Sequence, residues 1–446
     1  MRESDLHGYQ VEAVAKIERT PFCGAFLECG LGKSIIGLTT AKHLIDKGII
    51  KKVLVVAPLS VAQNVWENEK NSWEHTKDLR MSVIVGNKEQ RKKAMQVDAD
   101  IYVINRDVLA KEADNLPWCD MLILDESTSF KNPSSQRWKA LARKNGKKYR
   151  LIDIFKRVLL LTGTPVSENL SGIWAQIWLL DRGKRLFPTI SQFRTTWMIP
   201  DMFNGYPVWN RFRDGAEAEI RERIKDICFS MRRQDCIELP ERQDVIRYTG
   251  YTPDAVYKKM KKDGVIVVEE HHIMCADAAT RFGKLRQIAS GYVYSELGQA
   301  LFCNGYKENA MKELMESLGN RSVLCFYQFD FERKFLMLDL EFELLDSAEK
   351  IQAFNEGRIK RGCAHPASLG YGVNLQKNCD TVIFYSLPLS YEQYSQACDR
   401  VHRQGQKKSV LIYHLIGKGT VEEKIYDMLK NRKAILLQDI MQYLKY

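Results

Sequence analysis

An α/β fold, built as two parallel-sheet lobes with a helical insertion, is predicted by three features of this 446-residue sequence. In the first half, short β-branched runs alternate with helical patterns, the signature of a parallel sheet covered by helices on both faces. From about Ile173 to Arg233 the strand signals fade into aromatic-rich helical segments, and a second parallel-sheet pattern begins near Arg321. At about 150 residues per domain the length suits two or three domains, and 45% apolar residues are enough for each to bury a core.

An opening helix is suggested by Leu6, Tyr9, Ala13 and Ile17 on one face, and a second by the stripe after Ser34 that includes Ile35, Leu38 and Leu44. Strands are expected at 53–57, 82–85, 101–104, 121–124 and 158–161, where unbroken apolar runs imply burial on both faces. The insertion, about 170–235, carries Trp174, Trp178, Phe193, Trp197, Phe203 and Trp209, which read as core aromatics of helices. A linker near 237–242 separates a first lobe, 1–236, from a second, 237–446. The second lobe has strands at 323–326, 381–385 and 410–415 and a closing amphipathic helix with Val421, Ile425, Met428 and Leu429.

Composition narrows the function classes. With 67 Lys+Arg against 56 Asp+Glu the formal charge is +11, which favours an anionic partner such as nucleic acid. Only 12 prolines, 28% charged residues and no repeat period argue for a folded chain. The eleven cysteines form no C-x-x-C pair, so neither a zinc ribbon nor a disulfide framework is signalled, and they read as reduced thiols. His271, His272 and Cys275 read as a solvated polar segment. The first residues lack the apolar stretch of a signal peptide, and no run reaches the roughly 18 apolar residues of a membrane span, so a cytoplasmic location is expected.

Glu28-Cys29-Gly30-Leu31-Gly32-Lys33-Ser34 stands immediately before the second expected helix, where a phosphate-binding loop belongs. The full G-x-x-x-x-G-K-S pattern needs glycine at position 27, which is leucine. Gly30 and Gly32 let backbone N–H groups approach phosphate, Lys33 meets the β/γ charge and Ser34 can hold magnesium. Met121-Leu122-Ile123-Leu124-Asp125-Glu126 is an apolar strand ending in two carboxylates. At the end of a parallel strand Asp125 can bind magnesium through water and Glu126 can polarise the attacking water. Ser34 and Asp125 together supply the metal ligands that phosphoryl transfer from a nucleoside triphosphate needs.

These two segments resemble motifs I and II of superfamily-two helicases, and further segments narrow the resemblance to the Swi/Snf-type DNA translocases. Leu6-His7-Gly8-Tyr9-Gln10 resembles the adenine-reading Q motif, Ala57-Pro58-Leu59-Ser60 through Trp66 motif Ia, and Leu161-Thr162-Gly163-Thr164-Pro165 motif III. Ser230-Met231-Arg232-Arg233 with Leu239-Pro240 resembles the stretch between lobes, and Lys284-Leu285-Arg286-Gln287 a later block. The segment from Ser368 to Leu375 resembles motif V, and Gln396-Ala397-Cys398-Asp399-Arg400-Val401-His402-Arg403-Gln404-Gly405-Gln406 resembles motif VI in its Swi/Snf form. Gly419-Thr420-Val421-Glu422-Glu423-Lys424-Ile425 resembles the block that usually follows. The departures are Leu369, where glycine is usual, and Ser127-Thr128, where Ala-His is commoner. The short insertions, with no appended histone-reading or nuclease module, resemble bacterial or bacteriophage members.

The resemblance implies two tandem RecA-like lobes that use ATP and Mg²⁺, in a bacterial or phage-infected cell. The nucleotide would contact Gln10, whose amide can both donate to and accept from adenine, the loop Cys29, Gly30, Leu31, Gly32, Lys33 and Ser34, and Gly372 and Gln396. Arg400 and Arg403, three residues apart and hence on one helical face, would act as arginine fingers when the lobes close. Family position nominates Ser60, Gln63, Asn105, Arg106, Tyr327, Gln328 and Asn374 as contacts to DNA, expected to be double-stranded. Arg143-Lys144, Lys147-Lys148 and Lys258-Lys259, Lys261-Lys262 are further phosphate contacts or solvated faces. The implied activity is translocation on duplex DNA with remodelling of DNA or displacement of bound proteins. The alternatives are a strand-separating or branch-migrating helicase, an RNA-directed motor, and a binding scaffold with a vestigial ATPase.

Overall fold

The computed structural model describes all residues except 29, 145–148, 164–170, 204–205, 237–238, 370–373 and 432–446. The chain divides into two compact units, Met1–Ile237 and Glu238–Tyr446.

The first unit is built on β1 (Phe22–Leu27), β2 (Val53–Ala57), β3 (Met81–Ile84), β4 (Ile101–Asn105), β5 (Met121–Asp125) and β6 (Arg157–Thr162). After an antiparallel hairpin, β7 (Met198–Phe203) and β8 (Tyr206–Phe212), β9 (Cys228–Met231) completes a seven-stranded sheet in the order β3-β4-β2-β5-β6-β1-β9. All pairings in that sheet are parallel. β2, β4, β5 and β6 are buried along their whole length, which is why they read as unbroken apolar runs. β1 has no such run, because Gly24 interrupts it: a Cβ there would lie 2.7 Å from Cys228 Sγ, so the close approach of β9 requires glycine.

The insertion corrects the helical expectation. Helices Ser171–Asp181 and Ile190–Trp197 are present, but the β7/β8 hairpin and the parallel strand β9 follow, so Phe203 and Trp209 stand on strands. The Asn-Gly pair in the sequence at 204–205 is a hairpin signal that competes with the aromatic pattern. Trp174, Trp178, Phe193 and Trp197 are buried, as core aromatics should be. Their indole N–H groups are satisfied, Trp174 donating to Phe187 O at 2.9 Å and Trp197 to Glu219 Oε2 at 3.0 Å.

The second unit holds β10 (Arg242–Tyr248), two small antiparallel hairpins β11/β12 (Val265–Val268, His271–Met274) and β13/β14 (Tyr292–Tyr294, Ala300–Phe302), and five further strands. These are β15 (Val323–Phe326), β16 (Glu343–Leu344), β17 (Arg361–Ala364), β18 (Thr381–Phe384) and β19 (Val410–Ile416). They join β10 in a wholly parallel sheet in the order β10-β19-β18-β15-β17-β16. The closing helix Val421–Lys430 buries Val421, Glu422, Ile425, Tyr426 and Leu429. His271 and His272 lie on β12, and Cys275 Sγ contacts Met260 Sδ at 3.5 Å.

Under β10 and β19 lies a buried polar cluster. His414 Nε2 is 3.0 Å from the Tyr394 hydroxyl, which donates to Asp244 Oδ1 at 3.1 Å, and the imidazole stacks on Phe384. Burial holds the His414 pKa down at about 4, against the pull of Asp244. Its folded pKa therefore lies below its ordinary value, and the unfolded chain takes up the proton first as pH falls. Stability present above about pH 6.5 is expected to decline by up to about 3 kcal/mol between pH 6.5 and 4. Urea unfolding of the wild type and of His414→Phe across that window should show the larger decline in the wild type.

Candidate active site

The carboxyl ends of the strands collect the candidate residues of the first unit, the edge at which open parallel sheets bind ligands. β1 ends at Leu27, and the chain passes through Gly30 and Gly32 into the Lys33–Asp46 helix. Both glycines hold positive φ, 90° and 75°, which L side chains rarely adopt. Leu27 is the fully buried end of β1, and its carbonyl accepts from Lys33 Nζ at 3.4 Å, so the departure from the phosphate-loop pattern falls within the strand. Gln10 packs against this loop from the Gly8–Arg19 helix. Its Nε2 donates to Leu31 O at 3.3 Å and its Oε1 accepts from His7 N at 2.9 Å, which commits half of the amide's four hydrogen bonds to the chain itself. A Cβ on Gly32 would stand 2.4 Å from Gln10 Nε2, so glycine is needed there for space as well as for φ.

Asp125 ends β5, and Glu126 follows at φ 52°, a left-handed conformation uncommon outside glycine. Both are buried. Lys33 Nζ lies 3.6 Å from Glu126 Oε1, and the Thr162 hydroxyl at the end of β6 donates to Glu126 Oε2 at 3.4 Å. Asp125 accepts from Trp66 Nε1 at 2.9 Å and from Glu126 N at 3.1 Å. Burial, and then the neighbouring Glu126 charge, pushes the Asp125 carboxyl up to about 6, with Lys33 and Trp66 opposing. Ser34 occupies the first turn of the Lys33–Asp46 helix. A hydroxyl and a crowded carboxylate fit Mg²⁺, a hard cation that takes one or two such oxygens from protein and the rest from phosphate and water. Ser127, at one departure from the family pattern, is buried and donates to Gln176 Oε1 at 2.8 Å, tying the segment after β5 to the Ser171–Asp181 helix. Cys29, Thr164 and Pro165 lie outside the described residues.

The candidate nucleic-acid contacts of the first unit leave the same edge. Ala57 pairs with Asn105 in the β2/β4 register, and Arg106 N donates to Ala57 O at 2.9 Å, so the two segments emerge side by side. Ser60 and Arg106 are half-buried, Gln63 is exposed, and Asn105 is buried with Oδ1 accepting from Asp107 N at 3.0 Å. In the second unit Tyr327 and Gln328 follow β15, with Gln328 N donating to Glu332 Oε2 at 2.7 Å. Asn374 is exposed, its carbonyl accepting from Asn355 Nδ2 at 2.7 Å, and among the described residues no hydrogen bond joins it to Tyr327 or Gln328. Gly370 and Gly372 lie outside the described residues, and Leu369 is buried in the core of the unit. Lys258, Lys259 and Lys262 are exposed on the Ala255–Asp263 helix and Lys261 is half-buried; Arg143 and Lys144 are exposed, while Lys147 and Lys148 lie outside the described residues.

The arginines require a correction. Gln396 lies on the Tyr391–Cys398 helix, but that helix ends at Cys398, so Arg400 and Arg403 stand in the turns beyond it and share no helical face. The Arg400 carbonyl accepts from Leu375 N at 3.0 Å, an acceptor that a continuing helix would need four residues on. Gln406 Nε2 donates to Cys379 O at 2.8 Å, which draws the segment onto the loop before β18. Arg400 is buried and Arg403 half-buried. The contacts made by Thr162, Gln176 and Trp66 were not legible in the sequence, since each is made with a partner remote in the chain.

Known proteins resemble this chain over most of its length. The model of the SNF2-related domain matches residues 9–290, and that of the helicase conserved C-terminal domain matches 300–405. The chain is 30% identical over 433 residues to a putative protein, p41, of Acyrthosiphon pisum secondary endosymbiont phage 1, covering 92% of each. It is 26% identical over 446 residues to the chromatin structure-remodeling complex subunit snf21 of Schizosaccharomyces pombe, covering 89% of this chain but only 36% of that protein. Among solved structures, the Sulfolobus solfataricus SWI2/SNF2 ATPase core in complex with dsDNA is 22% identical with a TM-score of 0.46, covering 96% of this chain and 91% of that one. No helix among the described residues is long and apolar enough to cross a membrane.

Proposed function

Since this chain belongs to the SNF2-related family, we propose that it is a motor that moves along double-stranded DNA, coupling Mg²⁺-ATP hydrolysis to remodelling of DNA or displacement of bound proteins. The observation that carries the reading is the convergence of Lys33, from the helix that follows β1, with Asp125, Glu126 and Thr162, from the ends of β5 and β6. The turn through Gly30 and Gly32 presents backbone N–H groups to the phosphates, and Lys33 moves its charge from Leu27 O and Glu126 to the β/γ oxygens. Ser34 and Asp125 would hold Mg²⁺, which when bound neutralises charge on the phosphate oxygens. Glu126 orients the attacking water and takes its proton, and Thr162 holds the carboxylate that does so. Gln10 retains two hydrogen-bonding positions for the adenine edge, and Gln396, Arg400 and Arg403 serve the same hydrolysis from the second unit.

DNA is gripped through phosphates by Ser60, Gln63, Asn105, Arg106, Tyr327, Gln328 and Asn374, so that the motor steps without reading sequence. The net charge of +11 supports a polyanionic track. Steady-state ATPase should be measured without nucleic acid and with single-stranded DNA, duplex DNA and duplex RNA, with Arg403→Ala as control. Duplex DNA is expected to stimulate most, the stimulation to fall with added salt, and the control to lose it; triplex displacement then reports movement. Stronger stimulation by duplex RNA would transfer the reading to an RNA-directed motor, and strand separation on a forked duplex to a helicase. Retained binding with no turnover would reduce the chain to a scaffold.

A further inference from the structure

Trp66 is fully buried where the Trp66–Ser72 helix begins, after β2. β2 lies beside β5 in the sheet, and the indole meets the end of β5, donating from Nε1 to Asp125 Oδ2 at 2.9 Å. Glu126 N donates to the other oxygen, Oδ1, at 3.1 Å. The last torsion of an aspartate is broad, so one donor on each oxygen is what defines the carboxylate plane. Both donors are neutral. A lysine in the place of the indole would cancel the charge a cation needs, whereas an N–H fixes the oxygen and leaves the charge in place. The far edge of the ring is fitted to the Lys33–Asp46 helix: a Cβ on Gly37 would stand 3.0 Å from Trp66 Cη2. One rigid ring thus touches both elements that carry Ser34 and Asp125.

We propose that Trp66 is a positioning residue for magnesium, setting the Asp125 carboxylate against the helix of Ser34; this rests on the Mg²⁺-ATP reading of the site. Trp66→Phe keeps an apolar ring in the pocket, deletes the donor and gives up the contact with Gly37. It should raise the Mg²⁺ concentration for half-maximal ATPase by about tenfold, the size typical of groups that orient a metal ligand, with KM for ATP at saturating Mg²⁺ little changed. In thermal unfolding, ADP with EDTA should shift the melting temperature equally in both proteins, and the additional shift on adding Mg²⁺ should be lost largely in the variant. If Trp66→Phe fails to fold, Gly37→Ala displaces the ring while keeping the N–H and should show the same split in smaller measure. Unchanged Mg²⁺ requirements in a folded variant, with only a lower melting temperature, would overturn the proposal and leave Trp66 as core packing. A wild type with neither Mg²⁺-dependent turnover nor a Mg²⁺-ADP shift would instead overturn the nucleotide reading beneath it.

Discussion

Glu126→Gln is expected to lower ATP turnover by about 10³-fold, within the range for removal of a general base, while nucleotide still binds. The carboxylate is buried, aimed by a left-handed backbone at φ 52°, and held between Lys33 Nζ and the Thr162 hydroxyl. Such a conformation costs a non-glycine residue about 1 kcal/mol or more and persists where the surroundings over-determine it. Glutamine keeps the shape and can still accept from Thr162, but it cannot take a proton from water. It also relieves the like charge beside Asp125, while giving up the carboxylate that Lys33 faces. Phosphate release gives the rate, and displacement of a fluorescent ADP analogue gives binding. A rate within tenfold of wild type would remove Glu126 from its role.

Lys307→Met is expected to destabilise the second unit by about 3–5 kcal/mol, the loss typical when one member of a buried ion pair is removed. Lys307 is fully buried and pairs with Glu422 of the closing helix, itself buried, whose other oxygen accepts from Gly417 N at 2.9 Å. Lys307 Nζ also donates to Ser386 Oγ at 3.3 Å, and Ser386 Oγ donates to Glu332 Oε1 at 2.5 Å. Deleting the ammonium leaves the Glu422 carboxylate buried without its partner. The double substitution Lys307→Met with Glu422→Leu should recover much of the loss, since it removes the stranded charge along with the pair. Urea unfolding of Lys307→Met, Glu422→Leu, their combination and the wild type closes the cycle. Equal losses in the single and double variants would show that the packing volume, and not the uncompensated charge, sets the cost.

Some elements were legible because their information is contiguous. The phosphate loop needs glycines, a lysine and a serine within five consecutive positions, and the sequence has them at 30–34. β2, β4, β5 and β6 were legible because burial on both faces demands unbroken apolar runs. β9 was not, since its residues are only half-buried at the sheet edge beside β1, and β10 was not, because an edge strand reading Arg-Gln-Asp-Val-Ile-Arg-Tyr has the polarity of a linker. The helical face expected for Arg400 and Arg403 failed because three-residue spacing describes a face only where a helix runs, and the Tyr391–Cys398 helix ends before both.

The sequence by itself determined the parallel α/β class and the family, and it nominated the groups proposed for phosphate, cation and water, because each follows from short-range pattern and side-chain chemistry. Only the tertiary structure decided what holds those groups. Trp66 reaches Asp125 across 59 positions, Ser127 reaches Gln176 across 49, and Lys307 reaches Glu422 across 115. Periodicity reports which face of an element is buried, but the partner of a buried polar atom depends on strand order, and strand order arises only when the whole sheet has formed.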